Sequence, residues 1–177
     1  MNTFRDLGKQ PAQVSIDVGF LLMYKLPDGG GFPPSYIDFA THLGWGRLGG
    51  LFLVYVPLGQ HPDSWLVRSP WIKQQMDVFY EEMEHDPFLL EPDGYPGLEE
   101  SLIPFAMSEN GEYLAWDSAK RDVTGELPIY VLTSRMGSIQ YAGKDLYELV
   151  ERCTDATAVK AVMGPGYHPL PLTCEPL

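Results

Sequence analysis

The sequence is poor in cysteine, in basic residues and in long apolar runs, and each shortage excludes a class of protein. Cys153 and Cys174 are the only cysteines among 177 residues. Small secreted domains held by disulfides carry a denser framework, so these two are expected to be reduced thiols. No run reaches the roughly 18–20 apolar residues that span a bilayer. The opening residues, MNTFRDLGKQPAQ, lack the apolar core of a secretory leader. The expectation is a soluble cytoplasmic protein without membrane contact. Lys and Arg number 12 against 24 Asp and Glu, a formal net charge of −12. That balance disfavours nucleic acid phosphates and anionic lipid as partners.

Chemistry-bearing patterns are equally scarce. There is no Gly-x-Ser-x-Gly nucleophile motif. Cys153 falls in an amphipathic helical pattern and Cys174 in a proline-rich tail, neither of which lowers a thiol pKa. His42, His61, His85 and His168 form no His-x3-His pair, and no Cys-x2-Cys is present, so no metal-ligand spacing exists. His85-Asp86, beside several acids, could hold a divalent cation; a solvent-facing histidine at a helix end is the stronger reading. GWGRLGG (44–50) has neither the G-x-G-x-x-G spacing nor the Lys-Ser/Thr ending of a phosphate loop, and reads as turn geometry. The carboxylate pairs Glu81-Glu82 and Glu99-Glu100 are sequence neighbours that point in different directions, a weak basis for acid–base work. No catalytic residue, metal or cofactor is assigned.

What is present is glycine and proline, 18 and 16 residues, which force short elements and frequent loops. VSIDVGFLLMY (14–24) is apolar but ambiguous between strand and helix. Ser35 can cap a short helix, SYIDFATHL, whose apolar face is Tyr36, Ile37, Phe39, Ala40 and Leu43. LFLVYVPL (51–58) is the best buried strand. Ser69-Pro70 predicts the start of a helix reaching His85, with Trp71, Ile72, Met76, Phe79, Tyr80 and Met83 as its apolar stripe. Strands are predicted over 102–107 and 112–116 about an Asn110-Gly111 hairpin, with Glu109 and Glu112 as ordinary flanking acids. Two more strands, 128–133 and 138–141, precede an amphipathic helix from Lys144 to Cys153, extendable to Val162. Antiparallel hairpins with segregated helices indicate an α+β fold, a mainly antiparallel sheet with flanking helices. The chain divides into an N-terminal segment (1–31), one domain (32–162) and a proline-rich tail (163–177), read as an extended or disordered arm.

These residues resemble the SUKH superfamily. The first block is FPPSYIDFATHLGWGRLGGLFLVYVP, with Phe32-Pro33, Tyr36 and Phe39 at the positions of the family's helix motif. The second is LIPFAMSENGEYLAWD, an apolar strand, Asn-Gly, then a strand with an aromatic and an Asp. KDLYELVERC stands where the last family helix falls. The N-terminal part, QVSIDVGFLLMYKLPDGGGF, departs from the amphipathic helix that usually opens such domains. The resemblance implies an α+β domain and a non-enzymatic binder. Bacterial members are antidotes that block toxin domains, often nucleases or deaminases; fungal members are regulatory scaffolds of the cell-wall assembly regulator type. It supplies no catalytic residues.

The charge distribution agrees with a binder. Residues 81–100, EEMEHDPFLLEPDGYPGLEE, hold eight acids and no Lys or Arg, leaving sixteen acids and twelve bases in the other 157 residues. Two thirds of the net charge thus lies in one stretch. Glu81, Glu82 and Glu84 face the negative end of a helix dipole, each at a cost of about 0.3–1 kcal/mol. The ordinary reading is a solvated face. The functional one is that Glu81, Glu82, Glu84, Asp86, Glu91 and Asp93 meet a basic toxin domain. Trp45 and Arg47 are residue types that anchor interfaces, although a Trp beside a glycine turn more often packs on the core. The expected function is an immunity protein; the alternatives are a regulatory scaffold or an enzyme with an unrecognised site.

Overall fold

Asn110-Gly111 makes a hairpin, by a different turn from the tightest one. Only Gly111 takes a positive φ, 92°. The Gly111 N–H donates to the Ser108 carbonyl at 3.2 Å and the Ser108 N–H to the Glu112 carbonyl at 2.8 Å, so three residues form the loop, with left-handed Gly111 closing it. The computed structural model describes Phe4 and residues 15–177. Residues 1–3 and 5–14 of the N-terminal segment lie outside the described residues.

The hairpin joins β3 (Leu102–Ser108) to β4 (Tyr113–Asp117) at the centre of the sheet. The other strands are β1 (Gly46–Leu48), β2 (Phe52–Val54), β5 (Ile129–Leu132), β6 (Ile139–Gly143) and β7 (Cys174–Pro176). They form one seven-stranded sheet in the order β6-β5-β4-β3-β2-β1-β7, with every neighbouring pair antiparallel. Six α-helices lie among the described residues: α1 (Val18–Met23), α2 (Pro34–Leu43), α3 (Trp65–Glu82), α4 (Leu98–Ser101), α5 (Leu146–Thr154) and α6 (Ala158–Met163). The fold is α+β, with α3 against β3 and α5 and α6 against β6.

β3 carries a bulge at Phe105, between the pairs Pro104–Ala115 and Ala106–Leu114. A bulge interrupts the ladder with β4 locally, and two carbonyls beside it accept from outside β4. The Phe105 carbonyl accepts the Tyr55 N–H at 2.9 Å. The Pro104 carbonyl accepts Trp65 Nε1 at 3.2 Å, which ties α3 to the sheet.

Several local expectations give way to tertiary contacts. α3 starts at Trp65, not at Pro70, which lies inside it. Burying Trp65 and its indole bond extends the helix backwards through a residue that usually ends one. The buried stripe is Trp65, Ser69, Ile72, Met76 and Tyr80, while Trp71 and Met83 are exposed. Pro33 is the N-cap of α2, and Ser35 works elsewhere. Its N–H and hydroxyl donate to the two Glu126 oxygens at 2.7 and 2.8 Å. The same hydroxyl accepts the Leu146 N–H at 3.0 Å, so one serine joins α2, the Glu126 loop and the start of α5. LFLVYVPL is mostly buried, but only Phe52–Val54 pairs as a strand. α5 and α6 are separate because Asp155 is extended and its carboxylate accepts the Thr157 and Ala158 N–H groups, capping α6.

The tail is extended but not free. β7 pairs with β1, and the Leu170 N–H donates to the Cys153 carbonyl at 2.9 Å. This explains Gly46 in GWGRLGG, a segment that is a strand and a turn rather than a turn alone. A Cβ on Gly46 would lie 2.6 Å from the Glu175 carbonyl oxygen, so only glycine admits the tail there. At the other edge, the chain after α3 covers β6. The Ile139 N–H donates to the Glu91 carbonyl at 2.9 Å, the Asp93 N–H to the Ile139 carbonyl at 3.1 Å, and the Tyr141 N–H to the Asp93 carboxylate at 2.9 Å. Both sheet edges are thereby short or covered, which blunts edge-to-edge association.

Burial raises the Glu126 pKa, opposed in part by the Ser35 bonds. The folded protein therefore keeps this proton to a higher pH than the unfolded chain does. That stability is complete below the ordinary glutamate range and is lost as pH rises through the raised value. Urea denaturation should show this slope, and Glu126→Gln should remove it; Glu126→Ala, which orphans the Ser35 donors, should cost about 1–3 kcal/mol. Cys153 and Cys174 are both unpaired and buried, and burial pushes each thiol up to about 12. At pH 8 a thiol reagent should label neither in the native protein, and both once denaturant is added.

Candidate functional site

The buried stripe of α3 faces β3, which turns Lys73, Asp77 and Glu81 outward along the helix at four-residue spacing. Beyond Glu82 the helix unwinds through two left-handed residues, Glu84 and His85, both at φ 53°. Non-glycine residues adopt this conformation at a cost of about 1–2 kcal/mol each. The His85 N–H donates back to the Tyr80 carbonyl at 2.9 Å. The chain then caps the sheet edge and returns at left-handed Gly97, the N-cap of α4. α4 places Glu99 and Glu100 beside the row from α3.

Together Lys73, Asp77, Tyr80, Glu81, His85, Glu99 and Glu100 line a recess of about 390 Å³. Four of these seven are carboxylates. Lys73 is a resident cation, bonded to the Asp77 carboxylate and, at 3.0 Å, to the Glu99 carbonyl. His85 Nδ1 lies 3.4 Å from Glu99 Oε1. Glu99 is 8% exposed and Tyr80 2%. Neither Glu99 Oε2 nor the Tyr80 hydroxyl has a partner in the protein. Burial, reinforced by the charge of Glu99, raises the Tyr80 pKa, so the phenol is neutral.

Other buried acids make the contrast. Asp117 accepts from Tyr95, Ser101 and the Ala119 N–H. The two Glu112 oxygens accept from Ser108 and Tyr167, so this acid is a structural member of the hairpin rather than an ordinary flank. Glu126 has Ser35 on both oxygens. In each, both carboxylate oxygens are satisfied by the protein, as buried acids normally are. Glu99 is built into the wall of an acidic recess with one oxygen uncommitted.

No family model, curated protein or solved structure matches the chain. The likeness to the SUKH superfamily remains a likeness of motifs. Among the described residues, no helix is long and apolar enough to cross a membrane. No group of three or more His, Cys, Asp or Glu among them is placed to hold a metal ion.

The residues singled out in the sequence do not form one surface. Glu81 lines the recess, and Glu82 and Glu84 are exposed beside it. Asp86 accepts the Phe88 N–H at 3.0 Å and caps the 3-10 turn Pro87–Leu90. Glu91 and Asp93 serve the β6 edge, Glu91 through its backbone. Arg47 is on β1, near the opposite edge of the sheet, and pairs with Glu109 at 2.6 Å. Trp45 is partly buried against the core, 5.1 Å from the His61 ring. Lys73, Asp77, Tyr80 and Glu99 were not expected as site residues. The Lys73-Asp77-Glu81 spacing was a usable local signal; the closeness of Glu99 to that row was not.

This geometry separates stability from recognition. Glu99→Gln should leave thermal stability unchanged or raise it, because no bond to Oε2 is lost and a buried charge is removed. Asp117→Ala leaves three donors unanswered and should lower stability by about 1–3 kcal/mol or more. Calorimetry on the two variants checks both.

Proposed function

We propose that this chain is a non-enzymatic protein-binding domain of the immunity type, which binds a basic toxin domain in the cytoplasm and blocks it. The acid-lined recess, with its uncommitted Glu99 oxygen, opens beside exposed Glu82 and Glu84 and supports this reading. A cluster of like charges around an unsatisfied buried acceptor costs stability in the free protein. A cationic partner would offset that cost. Next to the recess is a groove of about 210 Å³, lined mainly by apolar residues such as Tyr24, Trp65, Pro70 and Ile103, which shares Lys73 and Glu100 with it. Apolar surface bordered by charge is the composition of a protein interface. Nuclease and deaminase toxins carry basic surfaces for nucleic acid, and a net charge of −12 is complementary to them. The two unpaired thiols suit a reducing compartment. The motif resemblance points to the same class.

Co-expression with the toxin domain encoded beside it should restore growth of a sensitive host. The combined reversal Glu81→Lys, Glu82→Lys, Glu84→Lys should cut that rescue by about tenfold or more, chiefly through slower association at low salt. Rescue untouched by the reversal would remove the acidic face from the mechanism. Absence of rescue by the unaltered chain would sink the immunity reading itself.

A further inference from the structure

The recess is more selective than an acidic surface. Its two uncommitted groups differ in kind: the Glu99 carboxylate oxygen is a charged acceptor, and the neutral Tyr80 hydroxyl can accept or donate. Both are more than nine-tenths buried, at 8% and 2% exposure. Asp77, Glu81 and Glu100 supply negative charge around them, and Lys73 is already engaged with Asp77 and the Glu99 carbonyl. A ligand that satisfies this set must be cationic, must present several donors in fixed directions, and must give up hydration cheaply. An ammonium group meets the first requirement only, being compact and strongly hydrated. A guanidinium meets all three, with five donors in a planar fork and weak hydration. A volume of about 390 Å³ admits a whole arginine side chain.

We infer that the recess is an arginine pocket, which receives one arginine of the protein partner on Glu99 Oε2 and the Tyr80 hydroxyl. The inference rests on the binding role of the acidic face and names the chemistry it selects. The entering guanidinium donates to Glu99 and Tyr80, while Lys73 keeps its own bonds and holds α4 to α3. An arginine anchored in a desolvated acidic pocket is a typical interface hot spot.

The test is a titration of the full chain with N-acetyl-arginine amide, followed by two-dimensional NMR. The lysine and norleucine analogues run in parallel. The arginine probe should shift the Tyr80 ring signals and the amides of residues 98–100. It should bind several-fold more tightly than the lysine analogue, with no saturable shift from norleucine. Glu99→Gln should weaken the arginine probe by about tenfold, the loss expected for one charge-assisted bond, and Tyr80→Phe by less. Both substitutions are near-isosteric, and unchanged spectra away from the recess show that the fold is kept. Equal binding of arginine and lysine, shifts confined to other surfaces, or an unaltered affinity in Glu99→Gln would each overturn the pocket. These results separate from the growth experiment. Charge reversal that blocks rescue without arginine binding at the recess removes the pocket and leaves the binder. Arginine binding without rescue keeps the pocket and removes the toxin partner.

Discussion

Trp116 is the residue around which the rest is arranged. It is 1% exposed and stacks on Phe105 with ring centroids 4.3 Å apart and planes 13° from parallel. Tyr36 meets it edge-on at 4.8 Å and Phe32 at 6.2 Å. Phe32 in turn lies edge-on to Trp65 at 4.8 Å. One aromatic cluster thus binds β4 to the bulge of β3, to α2, to the Phe32-Pro33 loop and to the first residue of α3. Such ring pairs contribute about 0.5–1.5 kcal/mol each beyond the area they bury. Whole domains have a net stability of only about 5–15 kcal/mol, so losing several of these contacts would remove a substantial part of that margin. The Tyr36 hydroxyl, buried at its edge, is satisfied by the Tyr55 carbonyl at 2.6 Å.

The acidic recess depends on that cluster at one remove. Trp65 is held by Phe32 and by its bond to the Pro104 carbonyl. That contact sets the rotation of α3, and with it the side from which Lys73, Asp77 and Glu81 project. Asp117, the residue after Trp116, then receives Tyr95 and Ser101, which fixes the approach to α4 and the last residue of that helix. Glu99 is positioned from both directions. The packed acids Asp117, Glu112 and Glu126 are satisfied by the protein on both oxygens, whereas Glu99, in the wall of the recess, keeps Oε2 without a partner among the described residues. Recognition groups held by a packed second layer lose little freedom on binding.

The elements read well wherever their signal was local. The hairpin about Gly111, the strands of the C-terminal half and the Leu146-Leu149-Val150 stripe of α5 all fall close to where periodicity and turn residues put them. Misreadings share one cause. Ser69-Pro70 carried a start signal that Trp65 overrode, Ser35 carried a capping signal that Glu126 and Leu146 took over, and the tail lacked any signal for its pairing with β1. Each partner is remote in the chain, and propensity gives way to such contacts. The acidic stretch was visible as charge, yet its members divide between a cap, a sheet edge and a recess, a division that charge alone does not encode.

By itself the sequence determined the α+β class, the central hairpin, the concentration of negative charge and the absence of a nucleophile or metal-ligand motif. These depend on composition and on spacing within a few residues, which the chain carries explicitly. Only the tertiary structure decided that Glu99 and Tyr80 meet in one recess, that Glu112 is structural, and that Asp93 guards a strand. Those roles depend on which polar atoms find partners once the chain has closed. Residues 80 and 99 become neighbours through the packing of α3 on β3 and the turn at Gly97, contacts that no local pattern specifies.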